Sequence, residues 1–106
     1  DQVLWIGTYS GGLARFDGAE WKVFKTSNSG LPDNIVYSLA VDNNNKLWVG
    51  SINSGMASFD GSKWEAYDIL NSGKPYTVSA ISIDRKGNLW IGTGGGVAVF
   101  NEHGIK

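Results

Sequence analysis

The sequence predicts an all-β protein built from repeated antiparallel sheets, and three observations support this. The motif Leu-Trp-aliphatic-Gly-Thr/Ser begins at Leu4, Leu47 and Leu89, so it recurs after 43 and 42 residues. Short runs of β-branched and aromatic residues alternate with turns rich in Gly, Asn and Asp. No sequence segment has a sustained helical period of apolar residues. A repeat period of this size is typical of architectures in which each unit is one supersecondary structure.

The repetition extends well beyond the motif. Residues 4–24 align with residues 47–67 without a gap, and nine of the 21 positions are identical. The run from Ile35 to Asp42 returns between Thr77 and Asp84, and the third copy continues as far as Phe100. The chain of 106 residues therefore contains about two and a half units.

Each unit contains four apolar runs that we predict to be strands. In the middle unit they are A (Ile35–Val41), B (Lys46–Ser51), C (Met56–Phe59) and D (Lys63–Tyr67). Asp42-Asn43-Asn44-Asn45 connects A to B, and these residues close Asx-turns or accept left-handed backbone angles. Asp60-Gly61 connects C to D and is a strong hairpin signal. The unit is therefore predicted to be a four-stranded antiparallel meander.

Strand B indicates how the units pack. Leu47 and Val49 point to one side and Trp48 to the other, so both faces of the sheet are apolar. A sheet with water on one side would alternate apolar with polar residues. Sheets of about 42 residues that pack face to face form a β-propeller. We expect an incomplete ring of about 2.5–3 blades, with blade pieces at residues 1–25, 35–68 and 77–106.

These residues also carry a family resemblance. Gly30-Leu31-Pro32-Asp33-Asn34, followed by Asp42 and Leu47-Trp48-Val49-Gly50-Ser51, resembles the two-component regulator propeller repeat, as do residues 11–18. The next unit has Ser72-Gly73-Lys74-Pro75-Tyr76-Thr77 in place of the first part of this pattern. That family forms the extracytoplasmic sensor region of bacterial signalling proteins. The resemblance implies a non-catalytic sensing or recognition role and a periplasmic or extracellular location, without specifying a ligand.

Composition excludes several function classes. Charged residues make up 18% of the chain and the net charge is −1, so no basic footprint for nucleic acid or an acidic membrane exists. No apolar run approaches the roughly 20 residues that span a bilayer, so we expect no membrane insertion. Cysteine is absent, and His103 is the single histidine. One chain therefore lacks the parts of a nucleophilic triad or a zinc site, and we expect no metal and no cofactor.

Several motifs have a structural and a functional interpretation. Trp5, Trp48 and Trp90 could stack on sugars, but their identical placement in every unit favours packing between blades. Residues 94–96 form a Gly triplet that a strand follows, whereas a phosphate loop precedes a helix. Residues 42–45 offer oxygen atoms for calcium, but the equivalent turn of the next unit carries Arg85-Lys86, which favours a plain turn.

The incomplete ring predicts self-association. The strand tally is ten, with Ile105-Lys106 as the start of a further strand D. Propellers close at about four to eight blades, and an open stack exposes the apolar faces of its end blades. The chain is either a piece of a longer propeller or a homo-oligomer that completes a ring. A dimer would have five blades if the end units merge and six if each stands alone.

A ligand site is predicted on the loops that join D to A and B to C. These loops emerge at the same edge of a meander and are the longest, and function concentrates on such loops. They offer hydrogen bonds and aromatic edges for a neutral polar ligand such as a carbohydrate. Two alternative functions remain. The chain could be part of an enzyme of lyase or hydrolase type with its site at the ring centre, or a purely structural assembly unit. The candidate ligand-binding residues are Tyr9, Asn28, Asp33, Asn34, Asn53, Asn71, Tyr76 and Thr93.

Overall fold

Three antiparallel sheets make up the fold in the computed structural model, which describes residues 3–31, 34–51, 55–67, 77–94, 96–101 and 104–105. Blade I contains β1 (Leu4–Gly7), β2 (Leu13–Phe16) and β3 (Trp21–Phe24). Blade II contains β4 (Val36–Val41), β5 (Leu47–Ser51), β6 (Met56–Phe59) and β7 (Trp64–Tyr67). Blade III contains β8 (Val78–Ile83), β9 (Leu89–Thr93), β10 (Gly96–Asn101) and β11 (Gly104–Ile105). Neighbouring strands in each sheet are consecutive in sequence.

The all-β, partial-propeller prediction is confirmed. Runs A to D of the middle unit coincide with β4 to β7 to within one residue. The predicted tally of ten strands is one short, because the two-residue strand β11 pairs with β10. Strand β11 lies where the sequence predicts the start of a strand D in the third unit. The described part of the chain contains no helix that could cross a membrane.

The hairpins that join strand C to strand D have the same hydrogen bonds in blades I and II. Asp17 Oδ1 accepts the backbone N–H groups of Ala19 and Glu20, both at 2.9 Å. Asp60 accepts the corresponding pair of N–H groups at 2.8 Å. A glycine follows each aspartate with φ of 101° or 105°, in the left-handed region that favours glycine. The Asp-Gly pair therefore fixes this turn in both blades.

Two hydrophobic cores lie between the blades. The core between blades I and II contains Leu13, Phe24, Leu31, Val36, Leu47, Val49 and Phe59. The core between blades II and III contains Trp48, Met56, Val78, Leu89 and Ile91. Strand β5 contributes to both, because alternate side chains of a strand point to opposite faces. The sequence-based prediction that this sheet is covered on both faces is correct.

The glycine of the repeated motif lets adjacent blades approach closely. A Cβ atom on Gly7 would lie 2.7 Å from Val36 Cγ1, and one on Gly50 would meet Ser38 Oγ of its own blade and lie 2.6 Å from Val78 Cγ1. Both valines begin the first strand of the next blade. A Cβ atom on Gly92 would find its nearest neighbour, Ser79 Oγ of its own blade, at 3.6 Å, and no atom of another described blade lies within 4 Å.

Candidate recognition edge

The repeated tryptophan is a packing residue. Trp48 is 5% exposed, and its ring centroid lies 5.2 Å from that of Tyr67 and 5.8 Å from that of Phe100. The Trp5 ring lies 6.0 Å from Phe24 and 6.2 Å from another ring of the same core. These distances suit tilted and edge-to-face aromatic contacts. The packing interpretation therefore applies to the two tryptophans that a following blade covers.

An aspartate six residues before the tryptophan holds its indole in place. Asp42 Oδ2 accepts the Nε1–H of Trp48 at 3.0 Å, and its Oδ1 accepts two backbone N–H groups of the same turn. Asp84 accepts the Nε1–H of Trp90 at 2.9 Å. The Trp90 indole, with Asn88, lowers the pKa of Asp84 to about 2. Both carboxylates thus link the turn between strands A and B to the tryptophan of strand B by a hydrogen bond. The recurrent Asp-to-Trp spacing is the sequence signal for this contact, which our sequence reasoning missed.

Two of the loops predicted to form a site, the B–C loop of blade I and the D–A segment that follows it, meet at one edge, which we call the loop edge. Tyr9, after β1, forms an antiparallel bridge with Ile35, just before β4. The Val36 N–H donates to the Thr8 carbonyl at 2.8 Å, and the Gly12 N–H donates to a carbonyl of the D–A segment at 2.9 Å. Backbone hydrogen bonds therefore join blades I and II at this edge.

Three of the candidate residues support their own loops. The Asn28 amide accepts one backbone N–H at 2.8 Å and donates to a backbone carbonyl at 3.1 Å. Asn34 Oδ1 accepts the N–H of Thr26 at 2.9 Å. The Thr93 hydroxyl donates to the Gly96 carbonyl at 3.0 Å. These contacts give the three side chains a role in loop shape.

Other candidates lie outside the described residues, namely Asp33, Asn53, Asn71 and Tyr76, and so does His103. Within the described ranges, no group of three His, Cys, Asp or Glu side chains is arranged to hold a metal ion.

Tyr9 and Tyr37 form an exposed aromatic pair on the loop edge. Their ring centroids are 6.4 Å apart with an interplanar angle of 28°, and the residues are 70% and 46% exposed. Sequence reasoning missed Tyr37 because it lies inside a predicted strand. The pairing of β4 with β5 shifts register between Val36 and Ser38, so Tyr37 occupies a bulge. The matching shift in blade III falls at Ser79, which has no aromatic ring.

The outer face of blade I is open and apolar. Leu4 is 59% exposed and Ile6 is 39% exposed. The equivalent residues of β5, Leu47 and Val49, are 1% and 0% exposed because blade I covers them. The same side-chain types thus lie in water in the first blade and in a core in the second.

The outer face of blade III is open in the same way. Trp90 is 47% exposed and Val97 is 75% exposed. Their equivalents in blade II are Trp48 and Met56, which are 5% and 0% exposed. The expected exposure of the end blades is therefore observed in this chain.

These observations define the class of protein: face-to-face antiparallel blades with a core between each pair form part of a β-propeller. Residues 30–53 and 72–95 each match the two component regulator propeller family. These two segments therefore carry the repeat pattern of that family, as the motif predicts.

Solved structures agree with this assignment. The extracellular domain of BT4673 from B. thetaiotaomicron, assigned to a one component system, is 27% identical with a TM-score of 0.84. The extracellular domain of BT3049 from the same organism, assigned to a hybrid two component system, is 25% identical with a TM-score of 0.83. Each match covers 98% of this chain but 15% of the other chain. Among curated proteins, no significant match exists.

Proposed function

We propose that this chain is a non-catalytic recognition module of sensor type that acts outside the cytoplasm. The repeat family and the extracellular signalling domains that share its fold support this role. The repeated aromatic and acidic residues of the described blades are used for packing and turns. Recognition is therefore assigned to side chains that the fold leaves exposed.

The Tyr9–Tyr37 pair carries the proposal. Two exposed aromatic rings on a backbone-bonded junction between blades form a rigid surface. Tyrosine offers a large apolar face and a polar hydroxyl at little conformational cost, which suits a carbohydrate or another small polar ligand. The candidates Asp33, Asn53, Asn71 and Tyr76 belong to connections of the same type and would contribute further polar contacts.

Alanine substitution tests this assignment. A panel of neutral oligosaccharides is titrated by calorimetry into the wild-type chain and into Tyr9→Ala, Tyr37→Ala and Tyr76→Ala. We expect loss of affinity for the sugar that binds. Trp21→Ala is the control, because Trp21 is 62% exposed at the opposite end of blade I. Unchanged affinity in all three tyrosine variants would refute the proposed edge.

We also propose that the isolated chain associates head to tail with a second copy. The outer face of blade I carries the same residue types as the face that blade III packs against blade II. The outer face of blade III corresponds to the face of blade II that contacts blade III. Joining one face to the other would reuse the strand B faces of an interface that exists twice in the chain, without the strand A that both existing interfaces contain. Because each chain has three separate sheets, a closed dimer would have six blades, within the usual range.

Sedimentation velocity and native mass spectrometry test association. Leu4→Glu and Trp90→Glu each place a carboxylate on one open face and are expected to shift the oligomer to monomer. Ala19→Glu adds the same charge at an exposed turn and should leave association unchanged. A wild-type chain that is strictly monomeric and stable would contradict this proposal. An oligomer without any ligand would favour the purely structural alternative.

A further inference from the structure

A groove opens between blades I and II at the end opposite the loop edge. Its volume is about 420 Å³, and two turns of blade II border it through Asn45 and Gly61. A volume of this order suits an organic ligand and exceeds the space that an inorganic ion needs. The residues that line it are Val3, Trp5, Arg15, Lys22, Phe24, Val41, Asn45, Phe59 and Gly61. Among the described residues, this lining combines aromatic rings, two cations and one amide, without a carboxylate.

The two cations are direct cross-strand neighbours. Arg15 of β2 pairs with Lys22 of β3 in the antiparallel register, so their side chains lie on the same face of blade I. Like charges placed directly opposite each other destabilise a sheet. A pair of this kind, facing a groove, therefore needs a compensating anion.

The chain supplies little compensation. Within the described residues the one ion pair joins Arg15 Nη1 to Asp17 Oδ2 at 3.9 Å, the outer limit for such a contact. The other oxygen of Asp17 already accepts two backbone N–H groups of the hairpin. Lys22 forms no ion pair with a described residue. The described residues thus compensate little of the positive charge that faces the groove.

The equivalent position between blades II and III has no such pair. Ser58 and Glu65 occupy the register positions of Arg15 and Lys22. Ser58 is 3% exposed, and its hydroxyl shares a hydrogen bond with the Tyr67 hydroxyl at 3.1 Å. A serine and a glutamate at these two positions are therefore compatible with the packing of one blade on the next. The cations of blade I are additional to what the fold requires.

The cations are also held in position by aromatic rings. Arg15 Cζ lies 5.7 Å from the Trp5 ring centroid, and Lys22 Nζ lies 5.2 Å from the Phe24 ring centroid. Cation–π contacts of this length restrict long side chains before a ligand arrives. A preordered pair loses less entropy on binding than two free side chains would.

We propose that this groove binds an organic anion of about mono- to disaccharide size. Its carboxylate or sulfate group lies between Arg15 and Lys22, and its ring lies along the apolar part of the lining that Trp5 and the exposed Val41 contribute. Asn45 also lines the groove, and its side-chain amide offers a hydrogen bond to a neutral hydroxyl. The site is separate from the tyrosine pair of the loop edge and does not depend on it.

Calorimetric titration with matched probes tests the proposal. The probes are digalacturonate, galactose 6-sulfate and the neutral disaccharide galactobiose. We expect an acidic probe to bind, to bind more weakly as salt is added, and to bind at least about tenfold more tightly than galactobiose. Equal affinity for acidic and neutral probes, or no binding of either acid, would overturn the proposal.

Residues from blade II supply the variants. Arg15→Ser and Lys22→Glu introduce the residues that blade II carries in this register, so the sheet should fold, as circular dichroism would verify. Each variant is expected to weaken the acidic probe about tenfold or more. Lys86→Glu makes the same charge change in an exposed turn of blade III and should leave binding unchanged. Tyr9→Ala should also leave it unchanged, which separates this site from the loop edge. Acid binding that survives both swaps would refute the site.

Discussion

Replacing Trp48 and Trp90 separately by alanine measures what a following blade contributes to stability. The two residues occupy the same position of the repeat, and their indoles donate to equivalent aspartates at 3.0 and 2.9 Å. The loss of that hydrogen bond is common to both variants and largely cancels in the comparison. What differs is exposure, which is 5% for Trp48 and 47% for Trp90.

The expected difference follows from the buried area. A fully buried tryptophan covers about 200 Å², which at about 25 cal/mol per Å² corresponds to about 5 kcal/mol. Measured costs of truncating such residues to alanine are about 3–5 kcal/mol. Trp48→Ala should therefore lower the free energy of unfolding by about 4 kcal/mol. Trp90 is about half exposed, so its loss should cost about 2 kcal/mol.

Urea unfolding followed by far-ultraviolet circular dichroism provides the measurement. Both substitutions are made in a Leu4→Glu background, so that self-association does not cover Trp90. If Trp48→Ala does not fold, Trp48→Phe and Trp90→Phe give the same comparison on a smaller scale. Equal losses at the two positions in the monomer would refute the assignment of Trp48 to an interblade core. A Trp90 cost that rises with protein concentration in the original background would show that another copy covers it.

Two further predictions concern the motif glycine and the turn aspartate. Gly50→Ala should destabilise the chain by about 1–3 kcal/mol through overpacking against Ser38 of its own sheet and Val78 of blade III, whereas Gly92→Ala should be tolerated, as thermal unfolding of the two variants would show. Equal melting temperatures would contradict the close approach at Gly50. The folded-state pKa of Asp84 is about 2, below its ordinary value of 3.8, so its contribution to stability is complete above pH 4 and is lost as pH falls toward 2. Asp84→Asn should flatten that part of the acid-unfolding curve, and an unchanged curve would contradict the hydrogen bond to Trp90.

Much of the fold could be predicted because each blade repeats the same local chemistry. The alternation of Leu47, Trp48 and Val49 indicates two covered faces, and both cores are present. Asp60-Gly61 indicates a hairpin, and the carboxylate accepts two N–H groups in that turn. Side-chain period and turn chemistry depend on a few neighbouring residues, so one sequence is enough to read them.

The candidate sites were harder to predict from the sequence because they depend on pairing between residues that are distant in the chain. Tyr37 lies in a run that reads as an ordinary strand, and its exposure beside Tyr9 results from a bulge and an interblade bridge. Arg15 and Lys22 are seven positions apart in sequence and become neighbours only in the β2–β3 register. In sequence they are scattered single charges.

Gly92 indicates what kind of surface completes the outer face of blade III. Glycine weakens a strand interior by about 0.5–1 kcal/mol relative to alanine, so it needs a steric reason. At Gly7 and Gly50 that reason includes a valine that begins the first strand of the next blade, and Gly50 also faces the hydroxyl of Ser38 in its own blade. The three described strands of blade I correspond to strands B, C and D, so a second copy would cover Trp90 with those strands and leave the space at Gly92 empty. A four-stranded blade would fill it. Gly92→Ala should therefore be neutral in a self-associated chain and destabilising in a propeller in which a complete blade follows, and this difference identifies the surface that covers blade III.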